Sequence, residues 1–247
     1  MDIVYIFNGY KSGEEMRYSM RSIERFGQNV GRVWLLGHKP DWCSDAVTEI
    51  EYTCDKSLYK ENDITKAIFT AAREPELPNR FLICADDYFY IAPTDFDNYP
   101  IYQKAAQLPA NTIGKEKMGG INYVQSVVNT RALLTAAGLP TGNYSQHCCF
   151  PADKKLMAEF RHVFDAAMFL PHGAVFDSLM ANIIIDKTGE QPVPRRDNKI
   201  KTAANLADLR HQIGESEHCF STTEQALNYG VRHILAQMFP EKSKYEL

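Results

Sequence analysis

Two adjacent carboxylates close the most core-like stretch of the chain. In RFLICADDYFYIAP (80–93), Phe81, Leu82, Ile83 and Cys84 read as an apolar strand that delivers Asp86 and Asp87 and then turns apolar again. Carboxylates are rarely placed in such surroundings without a compensating cation. Arg80 or a neighbouring basic side chain could neutralise the pair. The other source of charge is a bound ion, and carboxylate oxygens joined by phosphate suit Mg2+ or Mn2+. A second acidic pair, Asp95 and Asp97, lies in a turn before Tyr99 and Pro100 and reads as solvated.

Three other places could carry chemistry. His147 follows the turn-forming run Gly142–Ser145, and histidine is the usual acceptor of a hydroxyl proton near neutral pH. A zinc site made from His147, Cys148 and Cys149 is the competing reading, but contiguous ligands rarely close a tetrahedron. Arg17 and Arg21 stand four residues apart on one face of an expected helix, near its start, where anions collect. Surface pairing with Glu14 and Glu24 is the plain alternative for them. Asn62 precedes Asp63 where another helix should begin, and there it reads as an N-cap.

These residues need elements to hold them. DIVYIFN (2–8) is strand-like and ends at Asn8-Gly9, a turn signal. A helix follows, with Met16, Met20, Ile23 and Phe26 on one face and Gly27 as its stop. RVWLLGH (32–38) and AVTEIEY (46–52) are further strands, then Ile64, Ala67, Ile68 and Ala71 mark an amphipathic helix before RFLICADD. Strands and helices alternating at this spacing predict an α/β fold with a parallel sheet, whose ligands bind beyond the carboxyl ends of the strands. Asp86 and Asp87 lie at such an end. Past Pro93 helical spacing dominates, over 122–138, 152–164, 174–189 and 222–239, while 189–201 (GEQPVPRRDNKIK) reads as a loop. The expectation is a single catalytic domain over 1–247, with a nucleotide-binding-type α/β half (1–100) and a helix-rich half (101–247) sharing its core.

Composition narrows the class. The chain has 247 residues, 45% hydrophobic and 23% charged, as in ordinary globular proteins. A net charge of −4 argues against a broad nucleic-acid-binding surface while leaving room for a local phosphate pocket. Its six cysteines form no CxxC pair, and reduced, buried thiols in a cytoplasmic protein are expected. No targeting segment and no stretch near ~20 apolar residues is present, so no membrane span is expected.

Several segments in order resemble the Stealth family of sugar-phosphate transferases. EEMRYSMRSIERFGQNVGRVWLLGHKPDW (14–42) resembles the family's RYSLRSIE region with its P-x-W turn, and LPNRFLICADDYFYIAP (77–93) its strand ending in NDDYF. QHCCFPADKKLMAEFRHVF (146–164) resembles its His–Pro–Asp-Lys region, and FPEKSKYE (239–246) its closing FPEKSxFE. The opening DIVY is similar to DIVYTWVDG, with Asn8-Gly9 where the family has Asp-Gly. The resemblance implies a GT-A-like fold and transfer of a hexose-1-phosphate from a nucleotide-sugar, a UDP-sugar first among them, to a carbohydrate hydroxyl. It further implies a Mg2+ or Mn2+ ion on Asp86 and Asp87, catalysis through Asp87 and a His147 base, and a donor site near Asn8, Gly9, Arg17, Arg21 and Asn62. Downstream the family carries an Arg before an Asp. Here LPHGAVFDS (170–178) offers His172 and Asp177 and no Arg, so His172 is expected to stand in. Transfer of the sugar itself, on the same donor, is the alternative reaction, and an inactive nucleotide-sugar-binding protein is the alternative class.

Overall fold

The strand and helix patterns of the first hundred residues fold as their spacing demands. The computed structural model describes residues 1–7, 13–113 and 120–247, with the backbone alone at 228 and 229. In chain order the first elements are β1 (Ile3–Phe7), α1 (Glu14–Phe26), β2 (Gly27–Gln28), β3 (Val33–Gly37), β4 (Val47–Ile50) and α2 (Lys60–Ala71). β5 (Arg80–Ala85), β6 (Tyr88–Tyr90), β7 (Thr94–Asp95), β8 (Tyr102–Gln103), α3 (Ile121–Ala136) and β9 (Phe150–Asp153) follow. The remainder is α4 (Lys154–Glu159), α5 (Arg161–Met168), α6 (Phe176–Thr188), β10 (Val193–Pro194), β11 (Lys199–Ile200), α7 (Leu206–Gly214) and β12 (Cys219–Thr222). It closes with α8 (Glu224–Ala226), a π-turn and α9 (Arg232–Met238).

The main sheet has the order β4-β3-β1-β5-β9, with the first four strands parallel and β9 antiparallel along β5. Both faces are covered, which is why its strands are nearly continuous apolar runs. On one face Ile3, Tyr5, Leu35 and Leu82 meet Met16, Met20 and Ile23 of α1. On the other, Val4, Trp34, Phe81 and Ile83 share a core with Ile68 of α2, Leu134 of α3 and Phe176 and Leu179 of α6. That second core joins residues from both halves of the chain. Each such side chain contributes about 1.5–3 kcal/mol by burial.

β1 is the switch point. From it the chain fills one side of the sheet with β3 and β4, then crosses to β5 on the other, which opens a crevice beyond the carboxyl ends of β1 and β5. Ile6 and Ala85 are the last paired residues there, so Asp86 and Asp87 leave β5 at the crevice mouth. A three-stranded sheet, β11-β12-β6, stands just beyond it.

The helical expectations past Pro93 need two corrections. The helix expected over 152–164 starts two residues later, because Ala152 and Asp153 pair with Phe81 and Arg80 as part of β9. It also breaks into α4 and α5 at Phe160, whose φ of −95° and ψ of 20° leave the helical basin. The segment expected as one helix over 222–239 is α8, a π-turn and α9, with Gly230 at non-helical angles. The loop 189–201 holds two short strands, β10 and β11, which lend Val193 to Tyr102 and Lys199 to Ser221.

Candidate active site

The ladder of the small sheet sets the first group of residues. Lys199 on β11 is the Cα partner of Ser221 on β12, and Ser221 that of Tyr88 on β6. Asp87 immediately precedes Tyr88, so it lies beside both. Ser221 Oγ donates to Asp87 Oδ2 at 2.8 Å, and Lys199 Nζ stands 3.5 Å from the same oxygen. The compensating cation for Asp87 is therefore Lys199. Arg80 is spent elsewhere, with Nη2 donating to Glu190 Oε2 at 2.7 Å. Asp86 lies in the same turn and is also engaged.

These contacts do not fit a resident divalent ion at Asp87. An ion on Oδ2 would face the Lys199 ammonium on that very oxygen, and like charges so placed repel. Mg2+ needs few protein ligands, but among the described residues no group of three or more His, Cys, Asp or Glu side chains is placed to hold any metal.

The second group centres on His147. Its backbone N–H donates to Asp197 Oδ1 at 2.9 Å, and its ring Nδ1 lies 2.9 Å from Asp197 Oδ2. Lys104 Nζ donates to the same carboxylate at 2.8 Å. Burial works against the Asp197 charge, but His147 and Lys104 outweigh it and hold the carboxyl well below its usual range. With Nδ1 committed, Nε2 is the ring nitrogen left for a hydroxyl proton. The His147 and Tyr88 rings meet edge to face at 6.5 Å, which joins this dyad to the Asp87 turn.

A third group lies on the α6 side. Asp177 sits in the first turn of α6, and burial raises its carboxyl to about 6 against the opposing hydrogen bonds from Ser178 and Ser145. Ser145 Oγ is 2.6 Å from the Tyr123 hydroxyl. Glu61, in the first turn of α2, is raised to about 7, chiefly by burial and further by the charge of Asp177, against Lys60. Asp177 lines a small cleft with Tyr102, Tyr144, Cys148 and Phe150.

Arg195 lies behind these groups. It is 5% exposed, donates through Nη2 to the Cys219 carbonyl at 2.6 Å and through Nη1 to Gln146 Oε1 at 3.2 Å, and stacks over Tyr102. Among the described residues it makes no salt bridge to a carboxylate, and its Nε is buried without a hydrogen bond.

Other expected residues are placed for structural work. Arg21 Nε and Nη2 each donate to Glu246 at 2.7 Å, and Nη1 donates to the Phe239 carbonyl at 2.9 Å, so its donors are spent on the C-terminal segment. Arg17 lies 3.5 Å from Glu246 and stacks over Trp42. Neither pairs with Glu14 or Glu24 as the plain alternative had it. Glu14 pairs with Arg232, and Glu24 accepts from the Lys244 backbone. Asn62 is not an N-cap. It lies inside α2, almost fully buried, and its Nδ2 donates to the Met168 carbonyl at 2.9 Å. His172 takes a left-handed φ of 66°, and its ring meets that of Tyr59 tilted by 51° at 4.5 Å. No hydrogen bond or ion pair joins it to Asp177 among the described residues. Among the described residues, the cations at the site are Lys199, Lys104 and Arg195. Asn8 and Gly9 lie outside the described residues.

The vicinal cysteines are buried free thiols, and burial lifts Cys148 to about 12. Asp95 and Asp97 serve the surface, Asp95 accepting from Asn29 and Asn98. Among the described residues no helix is long and apolar enough to cross a membrane.

No protein-family model matches the chain, and no curated protein matches it in sequence. Among solved structures, an active-site mutant of LgtC aligns over 99% of this chain and 98% of its own at 12% identity, with a TM-score of 0.48. A galactosyltransferase LgtC in complex with donor and acceptor sugar analogs aligns over the same shares at 11% identity, with a TM-score of 0.47. At that level of likeness nothing about substrate or reaction passes from LgtC to this chain.

Proposed function

We propose that the chain is a transferase that takes a nucleotide-sugar donor and moves sugar-1-phosphate to a carbohydrate hydroxyl. One juxtaposition supports this. The Asp87–Lys199 pair and the His147–Asp197 dyad flank Tyr88 at the carboxyl end of β5, where an open α/β sheet takes its ligands. The first offers charge to an anionic diphosphate, the second a base to a hydroxyl. The motif resemblance over 14–42, 77–93, 146–164 and 239–246 supports the same chemistry.

In the step, the acceptor oxygen attacks the β-phosphorus of the donor. The bond from that phosphorus to the bridging oxygen breaks, and a nucleoside monophosphate leaves with the electron pair. The hydroxyl proton passes to His147 Nε2, while Asp197 holds Nδ1–H and steadies the imidazolium that forms. Lys199 and Lys104 meet charge on the equatorial oxygens, the part the family's downstream Arg would take. Asp177 and Glu61 accept hydrogen bonds from further acceptor hydroxyls.

Transfer of the sugar itself is the second reading, favoured by the lack of an Arg in LPHGAVFDS. Attack would then fall on the anomeric carbon and release a nucleoside diphosphate. The released nucleotide decides. Incubation with a panel of nucleotide-sugars and carbohydrate acceptors should yield monophosphate, with phosphate retained in the product as a diester. Diphosphate release would replace the first reading with the second.

A further inference from the structure

The carboxylate pair at the end of β5 raises the question of what balances an incoming diphosphate. Lys199 holds its place through the backbone ladder rather than by chance of rotamer. β11 pairs with β12 at Lys199↔Ser221, and β12 with β6 at Ser221↔Tyr88, so the ammonium and the Ser221 hydroxyl are both directed onto Asp87. The Lys199 side chain is 27% exposed and that of Asp87 17%, so the pair is not sealed from solvent. An ammonium has three donors, and Asp87 can take one of them. Arg195 adds a buried positive charge against the same strand, its Nη2 donating to the Cys219 carbonyl two residues before Ser221, which donates to Asp87. A buried guanidinium that pairs with no carboxylate among the described residues favours an anion in the adjoining crevice.

We propose that Lys199 fills the place of a divalent ion at this site, bridging Asp87 and the diphosphate of the donor, so that donor binding needs no metal. The inference rests on the nucleotide-sugar reading above. Asp87 then has a positioning part: it fixes the Lys199 ammonium, as Ser221 fixes Asp87.

The test is calorimetric titration of the whole chain with uridine diphosphate and guanosine diphosphate, in excess chelator and again with Mg2+ or Mn2+. At least one nucleotide should bind in chelator within about threefold of its affinity with metal. Lys199→Met should weaken that binding about tenfold or more, and Lys199→Arg should retain most of it. Melting curves show whether Lys199→Met folds; if it does not, the wild-type chelator arm and Lys199→Arg carry the decision. Binding that appears only with metal overturns the lysine role and keeps the donor reading. Lys199→Met that binds as wild type overturns it too. If neither nucleotide binds with or without metal, the donor reading falls and takes this inference with it.

Discussion

Two charge centres in this molecule are built from the same materials and are finished differently. At the C-terminal segment, Glu246 is 3% exposed and takes two parallel hydrogen bonds from Arg21, with further donors from the Ser243 backbone and hydroxyl. Arg21 spends its third nitrogen on a carbonyl. At the end of β5, the partly exposed cations are lysines, 27% and 34% exposed, each a point charge with protons to spare on a flexible stem. The imidazole between them has one nitrogen committed and one left over. A closed, bidentate pair can only hold the chain together. A half-satisfied pair at the mouth of a crevice can take a further partner without breaking, and that separates a lock from a site.

The sharpest way to break this distinction is at His147. His147→Ala should lower the chemical step by roughly 10²–10⁴-fold while the melting temperature and nucleotide affinity stay close to wild type. Asp197→Asn, which keeps the shape but loses the charge that orders Nδ1–H, should cost about 10–100-fold. Rapid-quench measurement of the first turnover separates chemistry from binding. An unchanged first turnover in His147→Ala would move the base to another group, Asp177 being next in line.

The lock should answer in the opposite currency. Arg21→Met leaves the Glu246 carboxylate buried without its partner, and should cost about 3 kcal/mol of stability, or roughly 6–12 °C in melting temperature. Turnover of the fraction that remains folded should not change. The lock is also acid-sensitive. Burial opposes the Glu246 charge, yet Arg21 and Ser243 hold its carboxyl below the usual range. Its contribution is therefore present above about pH 4.5 and is lost as pH falls through the lower folded value. If Arg21→Met melts like wild type but loses activity, Arg21 belongs to the donor site after all.

How much of this could be read from residues alone follows the same division. The sheet strands and α1 were legible because burial on two faces or one stripe writes a period into the chain, as in IVYIF and Met16–Met20–Ile23. His147, Asp87 and Asp177 stand out as candidates because they lie at element boundaries beside motifs. Asp197, Lys199 and Ser221 do not, although they contact His147 and Asp87. They lie in a charged loop and a four-residue strand; only the long-range pairings β11-β12-β6 bring Lys199 and Ser221 to Asp87, and only a contact across 50 residues brings Asp197 to His147. Glu61 left no mark either, since one glutamate in a first helical turn is ordinary. The Arg21–Glu246 pair leaves no mark either, because the partners lie 225 residues apart and no local pattern signals such a pair.

The smallest expected effect sharpens the comparison through pH. Asp177 and Glu61 are shifted opposite to Glu246: burial raises their carboxyls to about 6 and about 7. Folded, each keeps its proton where the unfolded chain has already released it, so stability falls as pH rises from about 4 to about 7 and is level above that. Removing the charge removes the penalty. Asp177→Asn and Glu61→Gln should each be more stable than wild type at pH 8, by about 1 kcal/mol or 2–4 °C. Near pH 4, where the wild-type groups are protonated, the advantage should vanish. Both variants should lose turnover at pH 8, because the stored electrostatic cost is what lets these carboxylates accept hydroxyl protons or hydrogen bonds. Melting curves of the two variants across pH 4–8 give the answer. A stability difference that does not change with pH would mean that neither carboxyl is perturbed, and the α6 side of the crevice would then be a wall and not part of the site.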